Sequence, residues 1–249
     1  MSNAATLQRP DAAEARLRRD LAAAYRLVAM FGWDDLVATH ISVRLPGGEG
    51  FLINPLGMMF EEIRPQDLLK VDLEGNLLEP SEWRVGTAAF VIHSAIHRAR
   101  HDALCVMHLH TPDGIAVACT EAGLLPLNQS SMLIARDVAF HEFEGVAVNL
   151  EERARLAADL GRKPLMLLRN HGTLSVGASV GQAFYLMYLL EKACTIQVRA
   201  LSMGQALHAA SAAAIDQVAS RQPKDPAAFD LVWAALLRKL DRAQPGWDA

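Results

Sequence analysis

A short, wholly apolar segment late in the chain sets the strongest limit on the fold. Residues 165–168 read Leu-Met-Leu-Leu and lie between Pro164 and the polar pair Arg169-Asn170. A run without the polar alternation of a one-sided strand is typical of a central β-strand that is covered on both faces. The sequence therefore predicts a sheet that is packed between layers of helices.

Helical and extended patterns alternate along the rest of the chain. Gly, Asn and Pro turns separate the early strands, which favours antiparallel pairing, and we expect an α/β domain with a mixed, largely antiparallel sheet. The predicted helices cover residues 11–31, 87–100, 113–119, 150–160, 180–202 and 227–240. The other predicted strands cover residues 40–45, 51–53, 69–73, 104–110 and 174–176, with short β candidates at 138–140 and 145–148.

Length and composition indicate one globular unit. A chain of 249 residues with 51% hydrophobic residues can bury a single large core. We expect one domain over residues 11–249. Residues 1–10 are expected to be a disordered N-terminal segment or, at Ser2-Asn3-Ala4, a remnant of cloning.

Charge, hydropathy and cysteines narrow the partners and the compartment. The net charge of −4 argues against nucleic acid as a partner. We find no signal peptide and no apolar run near the ~20 residues that cross a bilayer, so we expect no membrane association. The three cysteines are widely spaced in apolar settings, which predicts small buried side chains in a reducing, cytoplasmic environment.

Two histidines on the predicted strand 104–110 form a candidate metal site. His108 and His110 are two residues apart, and side chains at that spacing on a strand point to the same face. Neutral imidazole nitrogens suit zinc and neighbouring divalent metals at about 2.0–2.1 Å. A bare pair of this kind also occurs by chance in structural or surface positions.

A third histidine follows the buried strand 165–168. His171 lies where the chain leaves the core, and Gly172 permits a tight turn and a close approach of the backbone. If this strand and strand 104–110 are neighbours, His171 can supply a third ligand. Three protein ligands leave one position open, which is the arrangement of catalytic zinc sites.

A second histidine cluster is the alternative. His93, His97 and His101 are four residues apart on the predicted helix 87–100, so they line one face, and their spacing also suits a metal. The simpler interpretation is a helix face that runs past the active cleft, with His101 near solvent beside Asp102.

Four stretches together resemble the class II aldolase/adducin family, and most closely its adducin-like bacterial branch. They occur in the family's order and spacing between about residue 21 and residue 200. The stretches are residues 40–44 (His-Ile-Ser-Val-Arg), 52–57 (Leu-Ile-Asn-Pro-Leu-Gly), 105–112 (Cys-Val-Met-His-Leu-His-Thr-Pro) and 168–177 (Leu-Arg-Asn-His-Gly-Thr-Leu-Ser-Val-Gly).

The resemblance implies a fold, a metal and an assembly. It implies a three-layer α/β/α sandwich, and a divalent metal, usually zinc, that is bound by His108, His110 and His171. Members are typically tetramers with the active site at a subunit interface. The metal acts as a Lewis acid that polarises a substrate carbonyl.

The resemblance also implies a glutamate that moves a proton. The matching motif is Pro80-Ser-Glu-Trp-Arg84, but Glu82 lies seven residues before Ala89, the position that matches the family glutamate without a gap. Seven residues are two helical turns, or roughly 10 Å. Glu82 therefore reaches the site only if the chain loops near Gly86, and otherwise His93 is the proton carrier. We name both as catalytic candidates.

Substrate contacts are expected in the loops that resemble the family's phosphate-binding segments. The sugar-phosphate enzymes carry Gly-Asn-x-Ser where this chain has Thr39-His-Ile-Ser42, and Thr-Gly where it has Leu56-Gly57. An apolar residue replaces a polar phosphate contact, which argues against a phosphorylated substrate. The expected substrate-binding residues are His40, Ser42, Asn54 and Gly57.

These features together predict a divalent-metal-dependent lyase. We expect aldolase-type C–C cleavage of a small hydroxy-carbonyl compound that is not a phosphosugar, by a homo-oligomer, in the simplest case a tetramer. Zn²⁺ is the expected metal, with Mn²⁺, Fe²⁺ or Co²⁺ as alternatives. The competing interpretations are a decarboxylase or epimerase of the same superfamily, and a non-catalytic adducin-like interaction module whose histidines are idle.

Overall fold

The computed structural model describes residues 11–249 and contains one seven-stranded sheet within them. The predicted segment 1–10 lies outside the described residues. The strands are β1 (His40–Arg44), β2 (Gly50–Ile53), β3 (Leu69–Asp72), β4 (Cys105–Leu109), β5 (Val138–His141), β6 (Leu165–Leu168) and β7 (Gly172–Gly177), in the spatial order β3-β2-β1-β4-β7-β6-β5.

Eight α-helices accompany the sheet in the described part of the chain. They are α1 (Ala12–Met30), α2 (Thr87–Ala99), α3 (Pro112–Ala118), α4 (Gln129–Ile134), α5 (Glu152–Leu160), α6 (Val180–Ser202), α7 (Ala212–Ala219) and α8 (Pro226–Ala243), with 3₁₀ turns at Pro65–Asp67 and Ala135–Asp137. Ser179 caps α6, as a serine at that position suggests, by accepting a hydrogen bond from the backbone N–H of Gln182 at 3.1 Å.

The strand pairing is mixed but mainly antiparallel. Every neighbouring pair runs antiparallel except β5 and β6, which are parallel. The β6 strand is buried at all four positions, as its apolar sequence predicts. The predicted largely antiparallel mixed sheet is therefore confirmed.

Helices cover both faces of the sheet. On one face, α1, α3, α6 and α8 enclose a core that includes Leu27, Met107 and Phe184. On the other face, α2 and α5 pack over residues such as Val106 and Met166. Met107 and Val106 are neighbours on β4 and face opposite cores, since strand side chains alternate. The three-layer α/β/α sandwich is confirmed.

Three local predictions need correction. Residues 145–148 are not a strand: Ala147 is buried, but Val146 and Val148 are exposed, and the segment pairs with no strand within residues 11–249. Helices α4 and α7 were not predicted. Cys119 is exposed, whereas Cys105 and Cys194 are buried and all three thiols are free.

The length and hydropathy of the helices show whether any of them could cross a membrane. Of the helices between residues 11 and 249, none combines the length and the apolar character that a bilayer crossing requires.

Candidate metal centre and adjoining cavity

The ends of two adjacent strands bring three histidines together. His108 lies on β4, and His110 follows the last residue of that strand. His171 lies in the three-residue connection between β6 and β7, directly before Gly172. Strands β6 and β4 are not neighbours, since β7 lies between them. Because β7 pairs with β4, the turn that leads into β7 places His171 close to the end of β4.

The imidazole nitrogens converge on one point. Nε2 of His108 lies 2.9 Å from Nε2 of His110 and 3.3 Å from Nε2 of His171. One nitrogen from each ring lies within 4.8 Å of the others, and this is the one such cluster of His, Cys, Asp or Glu groups among residues 11–249. Tetrahedral ligands at 2.0–2.1 Å from zinc would be about 3.3 Å apart. The donor set therefore fits a divalent cation.

Contacts on the far side of two rings fix which nitrogen faces the centre. His108 donates a hydrogen bond from Nδ1 to the carbonyl oxygen of Thr173 at 3.0 Å. Nδ1 of His110 lies 3.1 Å from a carboxylate oxygen of Asp35. Such outer contacts hold the ring orientation and leave Nε2 as the free ligand atom. Asp35 could not be predicted from the sequence, because it lies 75 residues before His110.

The surroundings keep the rings of His108 and His171 neutral. Burial, followed by the nearby His40, His171 and His110 rings, places the pKa of His108 well below its usual range. Burial, followed by His110 and His141, lowers the pKa of His171 to about 4. Metal ions bind the neutral form of imidazole, so at neutral pH these ligands need not release a proton first.

Gly172 is required where the two strands meet. A Cβ atom at this position would lie 2.4 Å from the carbonyl oxygen of Leu109 and 3.0 Å from Cδ2 of His110. The close backbone approach that the His-Gly sequence indicated is present.

A buried chain of polar side chains leads away from the centre. His40 lies opposite His108 in the pairing of β1 with β4, and the two ring centroids are 5.0 Å apart. Nδ1 of His40 lies 2.8 Å from Nε2 of His93. His93 is hydrogen-bonded in turn to the hydroxyl of Ser42, which lies 2.7 Å from Nε2 of His97.

The helix histidines thus separate into two groups. His93 and His97 are fully buried, and burial, the largest cause, lowers the pKa of His97 to about 3. His101 lies beyond the end of α2 and is exposed, as expected. The alternative metal site on α2 does not form, since His93 and His97 bond to His40 and Ser42 and do not converge with His101.

A cavity of 280 Å³ adjoins the centre at His40. Most of the lining is apolar, and Ala89, the position that matches the family glutamate, is part of it. The hydroxyl oxygen of Thr39 is buried without a hydrogen-bond partner in the described part of the chain. The lining residues are Val37, Ala38, Thr39, His40, Asn54, Leu56, Gly86, Thr87, Ala88, Ala89 and Val148.

The remaining predicted site residues differ in their access to this cavity. Asn54 lines it, but its side-chain oxygen also accepts a hydrogen bond from the Tyr25 hydroxyl at 2.9 Å. Ser42 is fully buried behind His40. Gly57 has φ of 104° and lies beside the ring of Trp83.

The loop before α2 decides the position of Glu82. Residues 81–86 are irregular, and Gly86 is the N-cap residue of α2, so the predicted loop at Gly86 is present. Glu82 is exposed, and neither it nor Gly57 is part of the cavity lining described above.

The fold and the site together first define a class: a three-layer α/β/α protein whose histidine cluster lies where central strands end. Within that class the assignment is specific. Residues 19–198 match the family described as Class II Aldolase and Adducin N-terminal domain. The chain belongs to this family.

Individual relatives carry different names. A Caulobacter vibrioides protein named "Putative aldolase class 2 protein" is 51% identical over 238 residues, covering 94% of this chain and 93% of that protein. Alpha-adducin of Mus musculus is 42% identical over 196 residues, which are 77% of this chain but 26% of adducin. The solved L-fuculose 1-phosphate aldolase of Glaciozyma antarctica has a TM-score of 0.85 and 28% identity, covering 98% of this chain and 96% of that one.

Proposed function

We propose that this protein is a metal-dependent lyase that cleaves a C–C bond in a small, unphosphorylated hydroxy-carbonyl compound. In this proposal His108, His110 and His171 hold one divalent cation, with Zn²⁺ first and Mn²⁺, Fe²⁺ or Co²⁺ as alternatives. The observation that carries it is the convergence of three imidazole nitrogens beside a cavity. The cation would act as a Lewis acid on a substrate oxygen.

His40 and His93 are the proposed route for the proton. His40 is the titratable side chain of the cavity lining, and its Nδ1 is bonded to Nε2 of His93. That bond leaves Nε2 of His40 to face a substrate. A proton that is taken up or released at Nε2 can be balanced at Nδ1 by His93, whose own position is held by Ser42. His93 thus acts through His40.

Variants can separate this route from the other candidate, Glu82. General acid–base groups typically contribute about 10²–10⁴-fold to a rate. We expect His93→Asn to lower kcat by that order while the protein keeps its metal, and Glu82→Gln to leave kcat within about 3-fold. The opposite pattern would assign the proton to Glu82, reached through movement of loop 81–86.

The cavity lining supports a substrate without a phosphate group. No Lys or Arg occurs among the lining residues described within 11–249. The first N–H groups of α2, which has no side-chain cap at Gly86, can bind a hydroxyl or carboxylate oxygen of the substrate. Leu56, Ala88 and Ala89 leave the rest of the surface apolar.

A second candidate function is a non-catalytic, adducin-like interaction module. The likeness to alpha-adducin favours it, although the chain spans only about a quarter of that protein. A decarboxylase or epimerase would use the same centre, but an epimerase needs proton carriers on two faces of its substrate.

The proposed active unit is a cytoplasmic homo-oligomer, in the simplest case a tetramer. An exposed apolar segment near the centre supports the association of subunits: Phe143, Val146, Val148 and Leu150 are each at least half exposed, and the ring of Phe143 lies 6.5 Å from that of His171. Burial of such a segment between subunits would be favourable. Light scattering of the purified protein measures the subunit number directly.

The test of the proposed function is an aldol-cleavage assay. Metal-loaded protein is supplied with a panel of small hydroxy-aldehydes, hydroxy-ketones and hydroxy-acids, and carbonyl products are detected by a coupled reduction. We expect turnover of at least one compound, lost on chelation and restored by metal. If the loaded protein turns over no compound, phosphorylated ones included, the non-catalytic function replaces the lyase.

A further inference from the structure

A buried carboxylate lies beneath the metal-binding strands. Glu191 is on α6, about halfway along the helix, and is 2% exposed. A carboxylate in such a position is costly unless hydrogen bonds satisfy it, and replacement of buried ionic groups by apolar ones is often neutral or stabilising. Its presence therefore calls for a function other than packing.

Both carboxylate oxygens of Glu191 are engaged by threonines. The hydroxyl of Thr173 donates to Oε1 at 2.5 Å, and the hydroxyl of Thr111 donates to Oε2. The Thr111 oxygen also accepts a hydrogen bond from the backbone N–H of Gly114 at 3.1 Å, which leaves its proton directed at Glu191. The packing is tight, since a Cβ atom at Gly114 would lie 2.6 Å from the Thr111 oxygen.

These two threonines belong to the two segments that carry the histidine ligands. Thr111 directly follows His110. Thr173 follows His171 by two residues, and its carbonyl oxygen accepts the Nδ1–H bond of His108 at 3.0 Å. One side chain from α6 therefore joins the backbone on both sides of the three imidazoles.

We infer that Glu191 is a positioning residue of the metal centre, which fixes the separation of the His108–His110 segment from His171 through Thr111 and Thr173. This inference rests on the proposed function, since it takes the three histidines as metal ligands. Groups beyond the ligands that hold ligand orientation commonly contribute 10–100-fold to metal affinity. Glu191 would act less directly than such groups, through the hydroxyls of Thr111 and Thr173 and the backbone next to the histidines.

The experiment measures Co²⁺ binding to the metal-depleted full-length protein. Affinity comes from competition with a chromophoric chelator, and coordination geometry from the visible absorption of bound Co²⁺. We expect Glu191→Ala to weaken binding by about 10-fold or more and to change the Co²⁺ spectrum. Glu191→Gln can keep both contacts and should stay within about 3-fold of wild type.

Two further variants separate positioning from a general loss of stability. Glu14→Gln is the matched control: Glu14 is a buried carboxylate, 7% exposed, that pairs with Arg18 and Lys70 far along the chain from the histidines. It should lower stability without changing Co²⁺ affinity. Thr173→Val should weaken Co²⁺ binding as Glu191→Ala does, and the double variant should bind no more weakly than either single one.

The outcomes separate a failure of the positioning function of Glu191 from a failure of the proposed metal-dependent function. Wild-type affinity and an unchanged spectrum in Glu191→Ala, or in Thr173→Val if Glu191→Ala does not fold, would overturn the positioning function and leave the metal site intact. A wild-type protein that binds no Co²⁺ at its histidines would overturn the proposed function and this inference with it.

Discussion

At the scale of single residues, Glu191 links stability to pH. Burial raises the pKa of Glu191 to about 7, while the hydrogen bonds from Thr111 and Thr173 lower it and Asp113 raises it further. A glutamate in an unfolded chain titrates near 4.3. Between those values the folded protein holds more protons than the unfolded chain, so stability falls as pH rises toward 7.

Replacement of Glu191 by glutamine should remove this dependence. The free energy of unfolding of wild type, relative to Glu191→Gln, should fall by about 3 kcal/mol between pH 5 and pH 8. Urea denaturation of both metal-free proteins across that range measures it. The buried histidines and Asp113 are common to both proteins, so their contributions cancel in the difference. Burial, Glu191 and Asp113 raise the pKa of the Cys194 thiol, which therefore stays protonated across this pH range. A difference that stays constant with pH would show that Glu191 is ionised throughout.

The direction in which a side chain points could be predicted from the sequence where the spacing of residues along a strand determines it. The shared direction of His108 and His110 follows from strand alternation, and their Nε2 atoms do lie 2.9 Å apart. Asp35 and Glu191 could not be found this way, because neither contact follows from local spacing: Asp35 reaches His110 across 75 residues of chain, and Glu191 reaches Thr111 across 80. Glu82 and His93 remain predictions as catalytic residues.

At the scale of elements, the meeting of β4 with β7 depends on Gly172. A Cβ atom there would press against the backbone of Leu109, which cannot move without disturbing the strand. Overpacking of this kind typically costs about 1–3 kcal/mol. We expect Gly172→Ala to lose stability by that order and to weaken metal binding, because His171 and His110 are displaced.

Gly86→Ala serves as the control for Gly172→Ala. A Cβ atom at Gly86 would meet only ordinary contacts, at 3.6 Å from Leu56 and 3.8 Å from Ala89. Thermal unfolding and metal titration of both variants make the comparison. Equal metal affinity in wild type and Gly172→Ala would contradict the tight approach of the two strands.

The sequence predicted elements well where the pattern had one interpretation. The apolar run at 165–168 predicts a covered strand, and Pro164 and Asn170 limit it to strand length. The strand predicted at 145–148 was wrong, since Val146 and Val148 have no strand partner in the described structure. The sequence left open whether β6 and β4 are neighbours, because local periodicity does not determine the order of strands across a sheet; in the structure β7 lies between them.

At the scale of the whole molecule, substrate choice follows from the cavity lining. The likeness to an L-fuculose 1-phosphate aldolase makes that sugar phosphate the natural competitor in a substrate comparison. We expect it to be turned over far below the ~1–10³ per second of ordinary enzymes, since the side chains of Leu56 and Ala88 offer no polar contact to a phosphate. A coupled assay with the phosphorylated and unphosphorylated sugars, each at saturating Co²⁺ or Zn²⁺, decides it. Preference for the phosphate ester would mean that the N–H groups of α2 suffice to bind it.

Metal content is the most direct test of the central claim. Protein purified without chelators, and analysed by inductively coupled plasma mass spectrometry, should contain close to one divalent ion per chain. The His108→Ala/His110→Ala double variant should contain almost none while it keeps its circular dichroism spectrum, and His101→Ala, at an exposed histidine, should match wild type. A full complement of metal in the double variant would show that other residues hold the ion and would contradict the account.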